Sequence, residues 1–165
     1  LTTANVKWVE PKNLHWTLKF LGDVELVETA AICKAVDEAV RSFPSFDVEA
    51  VGAGAFPDAS RPRTVWMGMG EGTQELVALH DAIDAALQPL GFRSENRRYR
   101  PHITIGRVRN STPEEIADLG RLIQEQADFD GGFSSIYEVT VFSSELDRNG
   151  PTYEPLGHAE LLGES

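Results

Sequence analysis

Two stretches decide how this chain reads: Asn13-Leu14-His15-Trp16-Thr17-Leu18-Lys19-Phe20-Leu21-Gly22 and Arg100-Pro101-His102-Ile103-Thr104-Ile105-Gly106-Arg107. Apolar and polar residues alternate in each, the period of a β-strand with one buried face. Residues i and i+2 of a strand share a face, so His15 points with Thr17 and His102 with Thr104. Leu14, Trp16 and Leu18 in one stretch, and Ile103 and Ile105 in the other, are left to face the core. Two imidazoles and two hydroxyls facing each other across a cleft would supply the groups that acid–base chemistry on a phosphate requires.

Working outward, Gly22-Asp23 ends the first strand. Leu26, Val27, Ala30, Ala31, Cys33, Val36 and Val40 then recur at helical spacing and predict an amphipathic helix over 24–40, stopped by Phe43-Pro44. Residues 46–51 alternate as a half-exposed strand. The glycine-rich stretch 52–58 reads as a loop, and the absence of a following Lys-Ser/Thr rejects a P-loop. Residues 63–69 predict another strand. Thr73 is placed to cap a second helix carrying Leu76, Leu79, Ile83, Ala86 and Leu87, which Pro89-Leu90-Gly91 closes. Thr112-Pro113-Glu114-Glu115 has the spacing of a capping box with proline in the first turn, and predicts a third helix to Gln126. Residues 134–142 read as one strand, Asp147 to Pro151 as a tight turn, and 153–162 as the returning strand of a hairpin. Residues 2–12 read as a lead-in. This order is α+β rather than repeated βαβ. The recurrence of His-x-Thr predicts a pseudo-symmetric, two-lobed arrangement within one domain, 1–165.

The net charge of −11 argues against broad, nonspecific nucleic-acid binding, which needs local positive charge. Yet Arg93, Arg97, Arg98, Arg100, Arg107 and Arg109 bracket the second His-x-Thr with only Glu95 opposing them, which points to recognition of a small or local anion. No apolar run approaches the ~20 residues that span a bilayer, and no signal peptide is visible. The single Cys33 excludes an intramolecular disulfide and fits a cytoplasmic setting; its apolar neighbours Ile32 and Val36 make it a packing thiol. His80, inside a helix, and His158, followed two residues later by Glu160, read as bystanders, and Trp8, Trp16 and Trp66 read as core. No cluster with metal-ligand spacing is present.

The two quoted stretches resemble the paired signatures of the 2H phosphoesterases, most closely the RNA 2′,3′-cyclic phosphodiesterase branch historically called 2′–5′ RNA ligase. The resemblance extends along nearly the whole chain, including the strand at Trp66 and the closing Tyr153-Glu154-Pro155-Leu156 segment. It implies antiparallel sheets lining a central cleft with helices outside, and hydrolysis of a 2′,3′-cyclic phosphate at an RNA 3′ end to a 2′-phosphate, with no metal and no cofactor. It assigns His15 as acid and His102 as base, roles the residues alone leave open, and sets Thr17 and Thr104 on the nonbridging oxygens. Arg107 would add a bidentate phosphate contact. Strict alternation puts Arg107 on the face opposite His102, so this role requires a bulge or strand end near Gly106. Lys19 shares the parity of His15 and would help neutralise phosphate, Phe20 would stack on a base, and Arg100 would guide the RNA strand or hold the loop. The implied partner is an RNA 3′ end or a nucleotide with a cyclic phosphate; no membrane and no stable protein partner are indicated. Other readings are a 2′–5′ ligase or 2′–5′ phosphodiesterase on the same site, or a non-catalytic module that binds RNA ends. Family members usually carry a strand and helix before the first motif, which this chain is expected to lack, and Gly106 stands where alanine is commoner.

Overall fold

Residues 2–164 are described by a computed structural model. The elements run β1 (Val6–Trp8), α1 (Thr29–Val40), β2 (Phe46–Phe56), β3 (Thr64–Met69), α2 (Thr73–Leu87), β4 (Ile103–Val108), α3 (Pro113–Glu125), β5 (Asp130–Ile136), β6 (Glu138–Asp147) and β7 (Gly150–Glu160). The α+β class and antiparallel sheets are as expected. The chain divides into two compact units of interleaved sequence. One holds the chain up to Thr17, Val48–Thr73 and Pro101–Ser134; the other holds Leu18–Asp47, Gln74–Arg100 and the chain from Ser135 on.

The first unit is built on a five-stranded sheet in the order β1-β4-β3-β2-β5. Its buried side carries Ala55 and Val65, with Val6, Ala53, Ile105 and Val108 around them, against Leu119 and Ile123 of α3. That helix starts where its sequence says it should. The Thr112 hydroxyl accepts the Glu115 amide at 3.2 Å and the Glu115 carboxylate accepts the Thr112 amide at 2.8 Å, so two donors at the helix start are satisfied reciprocally. On the opposite side of the sheet the indole of Trp66 lies across Gly54, its cross-strand partner. A Cβ at Gly54 would fall 2.3 Å from the ring.

In the second unit, α1 packs on the β6–β7 hairpin, where Gly157 leaves room for the Cys33 thiol; a Cβ on Gly157 would lie 2.9 Å from Sγ. Ile32, Val36 and Val40 of α1 and Leu76, Leu79, Ile83 and Leu87 of α2 are buried. Asp84, on α2, takes an ion pair from Lys19 at 2.5 Å, with the two side chains 13% and 6% exposed. Its other carboxylate oxygen accepts the Ser94 hydroxyl. The hydrogen bond from Lys19, then that from Ser94, holds the Asp84 carboxyl below the usual carboxylate range.

Several sequence expectations are corrected. Residues 2–12 are not a lead-in: they contain β1 and the start of a 3-10 turn, Pro11–Asn13, a strand of three residues being too short to show a period. The stretch 52–58 is not wholly loop, because β2 runs on to Phe56 through a bulge at Gly52, whose φ is 75°. The single strand expected over 134–142 is two: β5 belongs to the large sheet and β6 to the hairpin. Gly131 lets β5 approach, since a Cβ there would lie 2.8 Å from the Ala50 carbonyl oxygen. Thr73 is the first helical residue rather than a cap, its hydroxyl donating to the Gly70 carbonyl at 2.6 Å. Among the described residues no helix is long and apolar enough to cross a membrane.

Two outcomes follow. Gly54→Ala forces the Trp66 ring to move and lowers stability by about 1–3 kcal/mol, seen as a reduced urea midpoint at constant m-value; an unchanged midpoint would mean that the indole does not rest on β2. Asp84→Asn leaves the largely covered Lys19 ammonium without its counter-charge and destabilises by about 1–3 kcal/mol at pH 7. The folded-state pKa of Asp84 is depressed, so the pair's stabilisation is complete above the unfolded value of ~3.9 and is lost as pH falls through the lower folded value. The gap between wild type and Asp84→Asn in thermal melts should therefore narrow below about pH 4; a gap that widens there would refute the assignment.

Candidate active site

The site is assembled along one edge of β4. Strand β1 runs antiparallel to it, Val6 opposite Val108, Lys7 opposite Arg107 and Trp8 opposite Gly106, and the Val9 amide donates to the Ile105 carbonyl at 2.9 Å. Gly106 permits this approach, because a Cβ there would stand 2.8 Å from the Trp8 ring and from the Val6 methyl. The chain then leaves the edge for the Pro11–Asn13 turn and returns to it at a single antiparallel bridge between Trp16 and Ile103.

That bridge sets the geometry. Residues flanking an antiparallel bridge stand opposite one another, so His15 faces Thr104 and Thr17 faces His102. All four point to the sheet side opposite Trp16 and Ile103, the side that carries Trp66. The two histidines are diagonal neighbours, roughly 7–8 Å apart at the backbone, which leaves room for one phosphate between the rings. Both His-x-Thr pairs thus lie in the first unit, side by side on one sheet face. The first stretch is not the continuous strand its alternation predicts. Its partner β4 begins at Ile103, and two residues before that lies Pro101, which has no amide hydrogen to extend a ladder.

The His15 Nδ1 lies 2.6 Å from the Asn13 carbonyl oxygen. A carbonyl only accepts, so Nδ1 is the donor of this contact. His15 is exposed and His102 half-buried. The His102 ring stands edge-on to Phe56 at 5.0 Å and beside Trp66 at 6.3 Å. Trp66 is therefore a wall of the candidate site as well as a packing residue, a role its sequence context does not reveal.

Arg107 reaches the same side by a bulge. On β3 the consecutive residues Val65 and Trp66 pair with Gly106 and Thr104, leaving Ile105 as the extra residue, and Thr64 pairs with Arg107. Thr64 and Trp66, two apart, share a face, so Arg107 shares the face of Thr104. Lys7, opposite Arg107 on β1, adds a second exposed cation there. Nothing in the sequence singles it out, because its strand is too short to show a pattern.

The remaining candidates lie in the second unit. Lys19 is committed to Asp84 and to the Arg93 carbonyl at 3.0 Å, so its charge is already neutralised and its place is in holding its segment to α2. Phe20 is 77% exposed, an uncovered ring rather than a core residue, and Arg100 is exposed. His80 stacks on Tyr99 at 4.2 Å, whose hydroxyl pKa burial pushes well above its usual value. His158 pairs with Glu138 at 3.3 Å and with Thr140 across the hairpin at 3.2 Å. Among the described residues no group of three or more His, Cys, Asp or Glu side chains is gathered to hold a metal ion.

Comparison with known proteins gives the family. The sequence profile of the 2'-5' RNA ligase superfamily matches residues 3–136. An RNA 2',3'-cyclic phosphodiesterase of Methanothermobacter thermautotrophicus is 39% identical over 150 residues, 91% of this chain and 79% of that protein. One of Aeropyrum pernix is 34% identical over 155 residues, 94% of this chain and 86% of that protein. The crystal structure of a Thermus thermophilus protein, TT0787, superposes with a TM-score of 0.81, covering 97% of this chain and 84% of that one at 23% identity. With the paired His-x-Thr strands, the bulge that turns Arg107 and these matches together, the chain belongs to the 2'-5' RNA ligase superfamily.

Proposed function

We propose that this protein hydrolyses the 2′,3′-cyclic phosphate at RNA 3′ ends to a 2′-phosphate, by acid–base catalysis that uses two histidines and no metal, with residues 1–165 acting as one domain. The observation that supports this most directly is the bridge between Trp16 and Ile103, which gives His15, Thr17, His102 and Thr104 a common face. The names carried by the M. thermautotrophicus and A. pernix relatives support the substrate.

His102 takes a proton from water as the water oxygen attacks phosphorus, and His15 gives its proton to the ribose 3′ oxygen as the P–O3′ bond breaks. A 2′-phosphomonoester and a free 3′-hydroxyl leave the site, His102 protonated and His15 neutral, and exchange with solvent resets both. The Asn13 carbonyl holds His15 with Nε2 toward the leaving oxygen. Thr17 and Thr104 donate to the nonbridging oxygens, and Arg107 stabilises the charge that grows on them in the transition state. Phe20 offers a face for the terminal base and Arg100 a charge for the strand, whereas Lys19 acts through Asp84 on the segment that carries Phe20. The setting is cytoplasmic, in keeping with the single Cys33, and the partner is RNA rather than a membrane or a second protein.

The test is hydrolysis of a short RNA ending in 2′,3′-cyclic phosphate with EDTA present. His15→Ala and His102→Ala should each lower kcat by about 10²–10⁴-fold while melting within a few degrees of wild type. Wild-type turnover to a 3′-phosphate, or full activity in either variant, would overturn the assignment. Binding of the RNA end without any turnover would leave a recognition module instead, and turnover only of a 2′–5′ linkage would name the sister activity.

A further inference from the structure

The first unit holds seven lysines and arginines: Lys7, Lys12, Arg61, Arg63, Arg107, Arg109 and Arg121. Lys12, Arg61 and Arg121 each pair with an acid. Among the described residues, Lys7, Arg63, Arg107 and Arg109 have no carboxylate within 4 Å, and all four sit at one end of three adjacent strands. Lys7 on β1 and Thr64 on β3 flank Arg107 on β4. Arg63 immediately precedes Thr64 and accepts the Val108 amide on its carbonyl at 2.9 Å, and the Arg109 amide donates to the Asn5 carbonyl at 2.7 Å.

At this end of the sheet, where the β2–β3 turn meets the β4–α3 connection, a pocket of about 770 Å³ opens. Arg61, Arg63 and Arg109 line it together with Asn5, Asn110 and Ser111, and among the described residues no acidic side chain does. Asp58, the acid of the turn, is tied to Ser60 and stands 4.0 Å from Arg61. The rest of the lining is Pro57, Pro62, Val108 and Ile116, and the Ser111 hydroxyl is held by the Asn5 amide and the Arg109 carbonyl; in a protein of net charge −11, it is the arginines that suit this concave surface to a phosphate.

We infer that this pocket is a second phosphate subsite, which holds a phosphodiester of the RNA strand upstream of the reacting end. The inference rests on the proposed function for the identity of the strand. Arg109, the residue after β4, lies five residues from Thr104; with Ile105 bulged out that is four regular steps, roughly 13 Å at about 3.3 Å per residue. That is beyond the reach of the nucleotide that carries the cyclic phosphate, but within reach of phosphates further up the same strand. Lys7 and Arg107 bridge the interval, so an RNA whose end lies at His15 and His102 meets cations as its backbone rounds the end of the sheet. The consequence is a substrate preference: an oligonucleotide gains contacts that a mononucleotide cannot make.

The experiment compares a nucleoside 2′,3′-cyclic monophosphate with a six-nucleotide RNA ending in the same group, in wild type and in Arg63→Gln/Arg109→Gln. Both arginines hold the fold through backbone groups, so the double variant should melt like wild type. Wild type should prefer the oligonucleotide by tenfold or more in kcat/KM, and the variant should lose most of that preference through KM while its mononucleotide rate stays within twofold. A parallel measurement uses the six-nucleotide RNA with a 2′-phosphate end in a salt series. Two lost phosphate contacts should flatten the slope of log K against log salt by roughly 1.4, at about 0.7 per contact on a single strand. Equal losses on both substrates, an unchanged preference, or an unchanged salt slope would overturn the subsite. Displacement of the RNA from wild type by millimolar inorganic phosphate, with the same slope in the variant, would mark a site for free anions and overturn it too. If wild type turns over neither substrate the proposed function fails by itself, and the salt series then decides the subsite.

Discussion

Everything at the candidate site depends on one edge of β4 being used twice. Strand β1 occupies its C-terminal half and the Trp16 segment its N-terminal end, with the Pro11–Asn13 turn between them. A strand edge is a row of donors and acceptors that must be paired or left to water, and here one continuous stretch of chain pairs it in two visits. The second visit makes a single bridge, yet in a sheet a shift of one residue turns every side chain to the other face. Had Trp16 met Thr104 instead of Ile103, the first histidine and threonine would be on the wrong side of the sheet. The partial burial of Trp16 and Ile103, each between polar neighbours, resists that slip.

The bulge at Ile105 solves a different problem on the other edge of the same strand. A regular β4 could present His102 and Thr104, or Arg107, but not all three. Leaving Ile105 as an extra residue lets Ile105 stay in the core while Arg107 turns toward the face of His102 and Thr104. Gly106 sits within this irregularity, and its missing side chain is also what admits Trp8 and Val6 of β1. One glycine thereby serves both edges, which explains why the small residue is needed without appeal to anything beyond packing.

What could be read in the sequence was local. The capping box at Thr112 and Glu115, the hairpin turn before Gly150 and the alternation around His102 depend on residues a few positions apart, and the structure has all three. The need for a bulge near Gly106 was legible as well, because alternation and the expected contact of Arg107 contradict each other without one. What could not be read was set by distant partners. Gly52 and Gly54 have loop composition, but the Trp66 indole covers Gly54 and keeps it in a strand. Lys19 has the parity of a phosphate ligand, but Asp84 lies 65 residues away and nothing near Lys19 announces it. Strand β1 carries too few residues to show a period and exists because β4 offers it an edge.

The fate of Lys19 also clarifies how an acidic protein keeps a local cationic surface. A lysine with a half-buried carboxylate in contact with it forms a pair that is internally neutral, and its value lies in fixing a chain segment. Lys7, Arg63, Arg107 and Arg109 are the opposite case. Lys7 and Arg107 stand directly across from each other on neighbouring strands, an arrangement of like charges that costs free energy by itself. A fold that needed only stability would place an acid between them, and with 26 acidic residues in the chain there is no shortage. Among the described residues none of the four has a carboxylate within 4 Å, so the repulsion between Lys7 and Arg107, at the end of the sheet that leads away from the two histidines, is not offset by an acid. In the subsite proposed above, that repulsion would be relieved when a phosphate of the bound strand lies beside these cations, which would strengthen binding of the oligonucleotide rather than speed the chemical step.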